Sequence, residues 1–405
     1  MAGVTYELYS VPTFPTRRPE SVDGSEIGSS KRPVRPGDVL VCKINPRINR
    51  VWLVADPLEP GCEQLASTEY LVLRTPDPDL SRYLMWYLQS PRFRDWIKLS
   101  VEGATGSHTR AKSGPILKQR VQLPPLSEQR RIVAVIEEQL SRLDAADASL
   151  AQAGLRLAQL RRVASTDPFE GDWPMKPLSE VNDSERPIRY GILMPKEDVV
   201  DGVLYVRVRD YPRDTIVLHG LRRTSHEIAA KYKRSTLRVG DLLLAIRGTY
   251  GRVAIVPSEL DGGNITQDTA RIAPLPSMDT RYVASYLRSD RAQRYFRSVA
   301  RGVAVKGVNI GDLRVMPIPV PPLEEQRRIV AEVEEHLSVI DAMRASIERA
   351  ERRSATLRRA ILERAFRGEL VPQDPSDEPA SVLLDRIRAE RKIADATPRR
   401  RRVKA

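Results

Sequence analysis

Residues 123–150 read LPPLSEQRRIVAVIEEQLSRLDAADASL, and residues 320–347 read VPPLEEQRRIVAEVEEHLSVIDAMRASI. Aligned without a gap at an offset of 197, the two stretches are identical at 18 of 28 positions. Self-similarity at a fixed period marks a repeated architecture. Agreement this dense does not arise by chance, so the chain is read as a tandem duplication.

The repeat continues more faintly upstream. Arg35-Pro-Gly-Asp-Val-Leu-Val matches Arg238-Val-Gly-Asp-Leu-Leu-Leu, and Arg50-Val-Trp-Leu-Val matches Arg252-Val-Ala-Ile-Val. Tyr87-Leu-Gln-Ser likewise matches Tyr286-Leu-Arg-Ser, in the same order along the chain. Between these islands the two copies differ widely. Such a pattern suits two modules that do one job on different targets.

Each copy changes texture once. Residues 1–122 and about 168–319 are rich in Pro, Gly and short β-branched runs, which read as strands bounded by turns. A short amphipathic helix is expected around Tyr83–Trp96 and again around Tyr282–Val299. After Pro124-Pro125 and Pro321-Pro322 the pattern turns helical, with Glu128 and Glu325 in the first turn, where negative charge suits the helix dipole. The helices are expected over Ser127–Ala164 and Glu324–Arg367, on the order of 55–65 Å long at the α-helical rise. Ile136, Leu143, Leu150 and Leu157 recur every seven residues in the first, and Val333, Ile340 and Ile347 in the second. Val133, Leu140, Val330 and Leu337 fill the partner positions, which makes a seam for a second helix. Asp147 and Gly154 interrupt it. Packing on the parent domain is the plainer alternative, but a domain of about 125 residues is too small to cover such a helix.

Composition sets bounds on function. The 405 residues carry a formal charge of +13, which points to a polyanionic partner. Residues 391–405 account for +6 of it, leaving a moderate +7 for the rest. Two cysteines, Cys42 and Cys62, and four scattered histidines give neither a disulfide framework nor metal-ligand spacing. No apolar run approaches the roughly 18 residues of a membrane span, and no signal peptide is evident, so a cytoplasmic protein is expected. There is no phosphate-binding Gly-x4-Gly-Lys-Ser/Thr motif. Asn45-Pro-Arg lacks the second Pro and the aromatic of an amino-methyltransferase site, so no catalytic residues, metal or cofactor are assigned.

A variable α/β domain, then Pro-Pro-Leu-x-Glu-Gln-Arg-Arg-Ile-Val, then a long helix, all occurring twice, resembles the specificity subunits of type I restriction–modification systems. Further matches are Gly-Ser-Glu-Ile-Gly-Ser-Ser-Lys-Arg at 24–32, Lys43-Ile-Asn-Pro-Arg and Glu102-Gly-Ala-Thr-Gly-Ser-His. The resemblance implies an α/β (α+β) fold with two tandem target-recognition domains, each followed by a long spacer helix. The two helices pair as an antiparallel coiled coil with pseudo-two-fold symmetry. The domains then run 1–125, 126–166, 167–322 and 323–368, with a C-terminal segment 369–405 ending in a basic tail, Arg399–Arg402, expected to be disordered. It implies that each recognition domain reads one half of a split site in double-stranded DNA. It further implies that the helices set the spacing and dock two methyltransferase subunits, and that a motor-nuclease subunit completes a complex defending against foreign DNA.

Two recurring loops supply candidate DNA contacts, combining glycine with cations, hydroxyls and amides that can approach phosphate or base edges. One gives Thr105, Ser107, His108, Arg110 and Lys112; its counterpart gives Lys306 and Asn309. A second cluster follows the Gly-Asp strand: Lys43, Asn45, Arg47, Asn49 and Arg50, and in the other copy Arg247, Thr249, Tyr250 and Arg252. Gln267 and Asn264 are further amide candidates. Singly, each of these is better read as a solvated loop cation; their recurrence in both halves is the argument. The segments Glu128-Gln129-Arg130-Arg131 and Glu325-Gln326-Arg327-Arg328 are candidate docking surfaces, although a charged helix face is often only solvated. An unrecognised DNA methyltransferase or nuclease, or a scaffold that binds only proteins, stands as the alternative.

Overall fold

The computed structural model describes residues 3–99, 101–102, 109–303 and 305–396. The chain divides into two compact units, Met1–Leu150 with Arg349–Ala405, and Ala151–Glu348. Each unit therefore holds one α/β body, part of its own long helix and part of the other.

In the first unit the Thr5–Tyr9 strand pairs antiparallel with Glu20–Asp23 and parallel with Glu63–Ser67. A second sheet places Val39–Cys42 between Val51–Leu53 and Tyr70–Leu73. All four residues of the central strand are buried because both faces are covered. Side chains alternate across a strand, so Val39 and Val41 join the core under the helices. Leu40 and Cys42 join Tyr9, Phe14, Trp52 and Tyr70 on the other side. The second unit repeats this: Leu242 and Leu244 face the helical core, while Leu243 and Ala245 face the sheet core. Both central strands start from the same turn. Gly37 and Gly240 sit at φ +86° and +84°, and the Asp38 and Asp241 amides bond the Arg35 and Arg238 carbonyls, each at 3.0 Å. Glycine at the third position is what a type II turn requires.

Each expected short helix is in fact two. Pro78–Gln89 is followed by Pro91–Leu99, and Thr280–Arg288 by Asp290–Val299. Ser90 and Ser289 break the runs in extended conformation. Pro91 disfavours a helical residue before it. Both serines cap the helix that follows: the Ser90 side chain accepts from the Phe93 amide at 3.4 Å and that of Ser289 from the Ala292 amide at 3.3 Å.

The two long helices run over Leu126–Ala164 and Leu323–Ala365. Within the first unit they are antiparallel. Arg358 reaches Asp144 at 2.7 Å and Asp147 at 2.8 Å, while the later Leu362 and Phe366 share a core with the earlier Ile132 and Ile136. The polar interruption at Asp147 is thus met by a cation from the opposite helix. Within the second unit Leu160 and Val163 face Glu332–Met343 across a shallow groove, and Arg161 pairs with Asp341. Gly154 leaves a Cβ open space, so no packing demands it there.

The connections after the two helices are equivalent. Phe169 packs on Tyr282 and Tyr286 with ring centroids 5.4 and 5.5 Å apart. Phe366, 197 residues on, packs on Tyr83 and Tyr87 at 5.3 and 5.5 Å. The segment leaving the second helix therefore completes the first unit. There Asp377 accepts from Ser127 at 2.5 Å and Arg131 at 2.7 Å, ahead of the Ala380–Ala396 helix. The basic tail Arg399–Arg402 lies outside the described residues.

Candidate nucleic-acid interface

The two candidate clusters, separated by more than fifty residues in each copy, meet in space. In the first unit the Lys43 amide bonds the Glu69 carbonyl at 2.9 Å, the Lys43 carbonyl accepts from Ala111 at 2.9 Å, and the Asn45 amide bonds the Thr109 carbonyl at 2.8 Å. The second unit reproduces this residue for residue. The Ile246 amide bonds the Asp268 carbonyl at 2.8 Å, the Ile246 carbonyl accepts from Val308 at 2.8 Å, and the Gly248 amide bonds the Lys306 carbonyl at 3.1 Å. Both loops then close, Cys42 onto Arg50 and Ala245 onto Arg252. Asn45 and Gly248 hold the same left-handed position, at φ +46° and +69°. Glycine takes that conformation freely and asparagine is among the few side chains that tolerate it.

On this common cradle the side chains differ. Arg247, Thr249 and Lys306 are exposed in the second unit. Asn309 is exposed at the head of the Ile310–Arg314 helix, and its side chain makes no cap there. In the first unit Arg47, Arg110 and Lys112 are exposed, and Arg110 is held by an ion pair with Glu69. Lys43, Arg50, Arg252 and Gln267 are half-buried. Arg50 donates to the Ile44 carbonyl at 3.4 Å and so braces its own loop. Asn49 bonds the Leu88 carbonyl at 3.1 Å. The side-chain oxygen of Asn45 is buried without a partner among the described residues, and Tyr250 packs against the helical core. Thr105, Ser107 and His108 lie outside the described residues.

Asn264 is not available as a reader. It is 1% exposed, accepts from Ser235 at 2.8 Å and donates to the Tyr232 carbonyl at 3.2 Å. A buried amide must be hydrogen-bonded, and this one is satisfied within the core.

The Glu-Gln-Arg-Arg segments are less exposed than a charged helix face suggests. Gln129 is fully buried and donates to the Pro124 carbonyl at 2.8 Å; Gln326, also buried, donates to Pro321 at 2.9 Å. These bonds tie the Pro-Pro turn to the helix it starts. The neighbouring charges are treated differently. Glu128 is buried and its carboxyl is pushed up by desolvation, while Glu325 is held down by Arg328 at 2.7 Å. Arg130 pairs with Asp79 at 2.5 Å and Arg131 with Asp377 at 2.7 Å, whereas Arg327 pairs with Glu324 at 2.7 Å.

Sequence reasoning missed two features. One is an apolar groove on each helix pair, with Leu160, Val163, Val339 and Met343 exposed on the second unit, and Leu143, Leu357 and Ile361 lining the counterpart on the first. The other is a basic cavity in the second unit, signalled by the run Lys231-Tyr-Lys-Arg-Ser-Thr-Leu-Arg238. Among the described residues no group of three or more His, Cys, Asp or Glu could hold a metal, and no helix is long and apolar enough to cross a membrane.

Residues 196–352 match the type I restriction modification DNA specificity domain. The chain is 29% identical over 340 residues to the type I restriction enzyme EcoBI specificity subunit of Escherichia coli, covering 76% of this chain and 71% of that protein. Its fold is similar to a structure solved in work on complex assembly and conformational transition of the type I R-M system, with a TM-score of 0.76, 22% identity and coverage of 91% and 92%. The HsdS subunit from Thermoanaerobacter tengcongensis gives a TM-score of 0.58 at 23% identity, with 91% of each chain covered.

Proposed function

We propose that this chain, which belongs to the specificity subunits of type I restriction–modification systems, reads a bipartite DNA site through the two loop cradles and has no catalytic site of its own. The observation that carries this reading is the cradle itself. Two loops distant in sequence are clamped by one set of backbone hydrogen bonds in both units, yet present different side chains: Arg110 and Lys112 in one, Arg247, Thr249, Lys306 and Asn309 in the other. A shared backbone with exchanged side chains is what two readers of different half-sites need. Arg and Lys can bond guanine acceptors and Asn can pair with adenine, while the remaining cations hold phosphate.

The partners follow from the family. The grooves on the helix pair dock methyltransferase subunits, two copies by virtue of the repeat, and a motor-nuclease subunit completes the restricting form. Exposed apolar side chains grouped on a helix surface suit a partner helix better than solvent. The complex works in the cytoplasm.

The test is the modified motif. Substituting Lys306→Ala with Asn309→Ala, in a host that supplies the methyltransferase, alters one half of the methylated sequence and leaves the other unchanged. A change in both halves together would overturn the division of labour. Methyl transfer by the isolated chain supplied with S-adenosylmethionine would overturn its non-catalytic role.

A further inference from the structure

Residues 184–190 and 230–238 of the second unit, with Ile310 and Arg314 of the Ile310–Arg314 helix, surround an open cavity of about 1120 Å³. Its wall carries Arg189, Lys231, Lys233, Arg234, Arg238 and Arg314, and Glu185 is the single carboxylate among the lining residues. Arg186 also lines it but is pinned to Asp241 at 2.6 Å, and Lys231 is held by Glu227 at 2.8 Å. Lys233, Arg234 and Arg238 are exposed and meet no carboxylate within ion-pair distance among the described residues.

Behind this wall lies Arg271, only 1% exposed. Its Nη2 donates to the Pro187 and Arg234 carbonyls, both at 3.0 Å and both from residues of the wall. Its Nε and Nη1 are buried without a hydrogen-bond partner among the described residues. Burial, helped by the neighbouring Arg186 and Arg238, outweighs the opposing pull of Asp241 and Asp183 and brings its pKa down to about 10. A buried guanidinium with two unbonded nitrogens is costly, and further negative charge at the wall would offset that cost. In the first unit the matching strand position is apolar: Val72 faces Leu40 where Arg271 faces Leu243.

The cavity also adjoins the reading loop. Ile310 and Arg314 belong to the helix that starts directly after Asn309. Long cations facing one another across open space, with no cluster of amides among them, suit phosphate oxygens rather than base edges.

We propose that this cavity grips successive phosphates of the DNA backbone beside the half-site read by the second unit, which thereby supplies the larger share of sequence-independent affinity. This rests on the DNA-reading role argued above.

The experiment uses the full chain assembled with its methyltransferase subunits. Binding to a duplex carrying the methylated motif, and to one lacking it, is measured over a series of salt concentrations. The variant Lys233→Gln, Arg234→Gln, Arg238→Gln is compared with Lys233→Arg, Arg234→Lys, Arg238→Lys, which keeps the charge. Each phosphate contact contributes roughly 0.9 to the slope of log affinity against log salt. The neutral variant is expected to lose about 2 to 3 from that slope and to weaken on both duplexes alike, with the methylated motif unchanged. The charge-keeping variant retains the slope. An unchanged slope in the neutral variant overturns the proposal, as it would if the cavity took a free phosphate or nucleotide. Equal loss in both variants, or an altered second half-motif, overturns it too. A shallow slope in the unsubstituted complex would instead defeat the DNA-reading role itself.

Discussion

In the first unit the loop after the central strand carries Ile44 and Asn45, clamped against Thr109 and Arg110; in the second, Arg247 and Gly248 lie against Lys306 and Gly307. The backbone bonds are the same and the chemistry offered to solvent is not. The contrast extends inward. Val72 in one sheet is replaced by the buried Arg271 in the other, and the Asp38 of the first turn is held by Arg74 whereas Asp241 is held by Arg186. The lesson is a division between atoms. Backbone groups, whose hydrogen bonds are obligatory when buried, fix the cradle, and the side chains that project from it are free to differ.

The severest challenge to the two-unit scheme is a change of helix phase. Inserting two residues at Ala151 turns everything beyond it by about 200° relative to the preceding seam. Ile132, Ile136 and Leu140 in the first unit, and Leu157 in the second, then cannot all face the opposite helix. Assembly with methyltransferase subunits is expected to be lost, as read by size-exclusion chromatography. Four inserted residues, about 40° beyond a full turn, leave the seam nearly in register, and assembly survives. Equal loss from both insertions would mean that the seam does not govern assembly.

Next come the aromatic plugs. Phe366→Ala removes a ring from the Tyr83–Tyr87 cluster, and Phe169→Ala one from the Tyr282–Tyr286 cluster. Each is expected to cost about 3–5 kcal/mol, confined to its own unit. Hydrogen exchange resolves this: Phe366→Ala exposes amides around Tyr83, and Phe169→Ala those around Tyr282. Protection lost in both units from one substitution would show that they unfold as one.

A smaller difference separates the buried glutamines. Both donate to the carbonyl of the first proline of the turn, but the Gln326 oxygen also accepts from the Asp279 amide at 2.8 Å, while that of Gln129 has no partner among the described residues. Gln326→Ala strands the Asp279 amide and is expected to cost about 1 kcal/mol more than Gln129→Ala, by denaturant unfolding. Equal costs would deny the extra bond any weight.

How far the sequence foretold these contrasts depends on range. The long helices were readable because their signal is local and repeated: Pro-Pro, an acidic first turn, and apolar residues every seven positions. The Gly-Asp turns were readable because glycine alone relieves a positive φ there. The break at Ser90 was open to reading in Pro91, whereas at Ser289 no proline follows and only a serine cap, present at both breaks, marks it. The cavity was not readable as such, since it joins Arg189 and Lys233 to Arg314 across more than a hundred residues of chain. Asn264 misled because its local company, Gly-Gly-Asn-Ile-Thr-Gln, is that of a loop, while its partners Ser235 and Tyr232 are distant.

The smallest expected effect, and the sharpest in sign, lies in the first helical turn. Glu128 and Glu325 occupy the same position of the repeat, yet their carboxyls move in opposite directions. Desolvation raises Glu128, against the pull of Arg131. The Arg328 guanidinium lowers Glu325. A carboxyl raised on folding opposes folding when ionised, so its penalty is present above its folded-state pKa and disappears once pH falls below the unfolded value. A lowered carboxyl contributes stability above its unfolded pKa and loses it as pH falls through the folded one. Glu128→Gln is therefore expected to stabilise residues 123–133 slightly at neutral pH. Glu325→Gln should slightly destabilise residues 320–330, and both differences should fade as pH drops through the carboxylate range. Amide exchange in the two segments, followed from pH 7 downward, reads both at once. If the two substitutions shift protection with the same sign at pH 7, the contrast between the junctions is a matter of burial alone and not of charge.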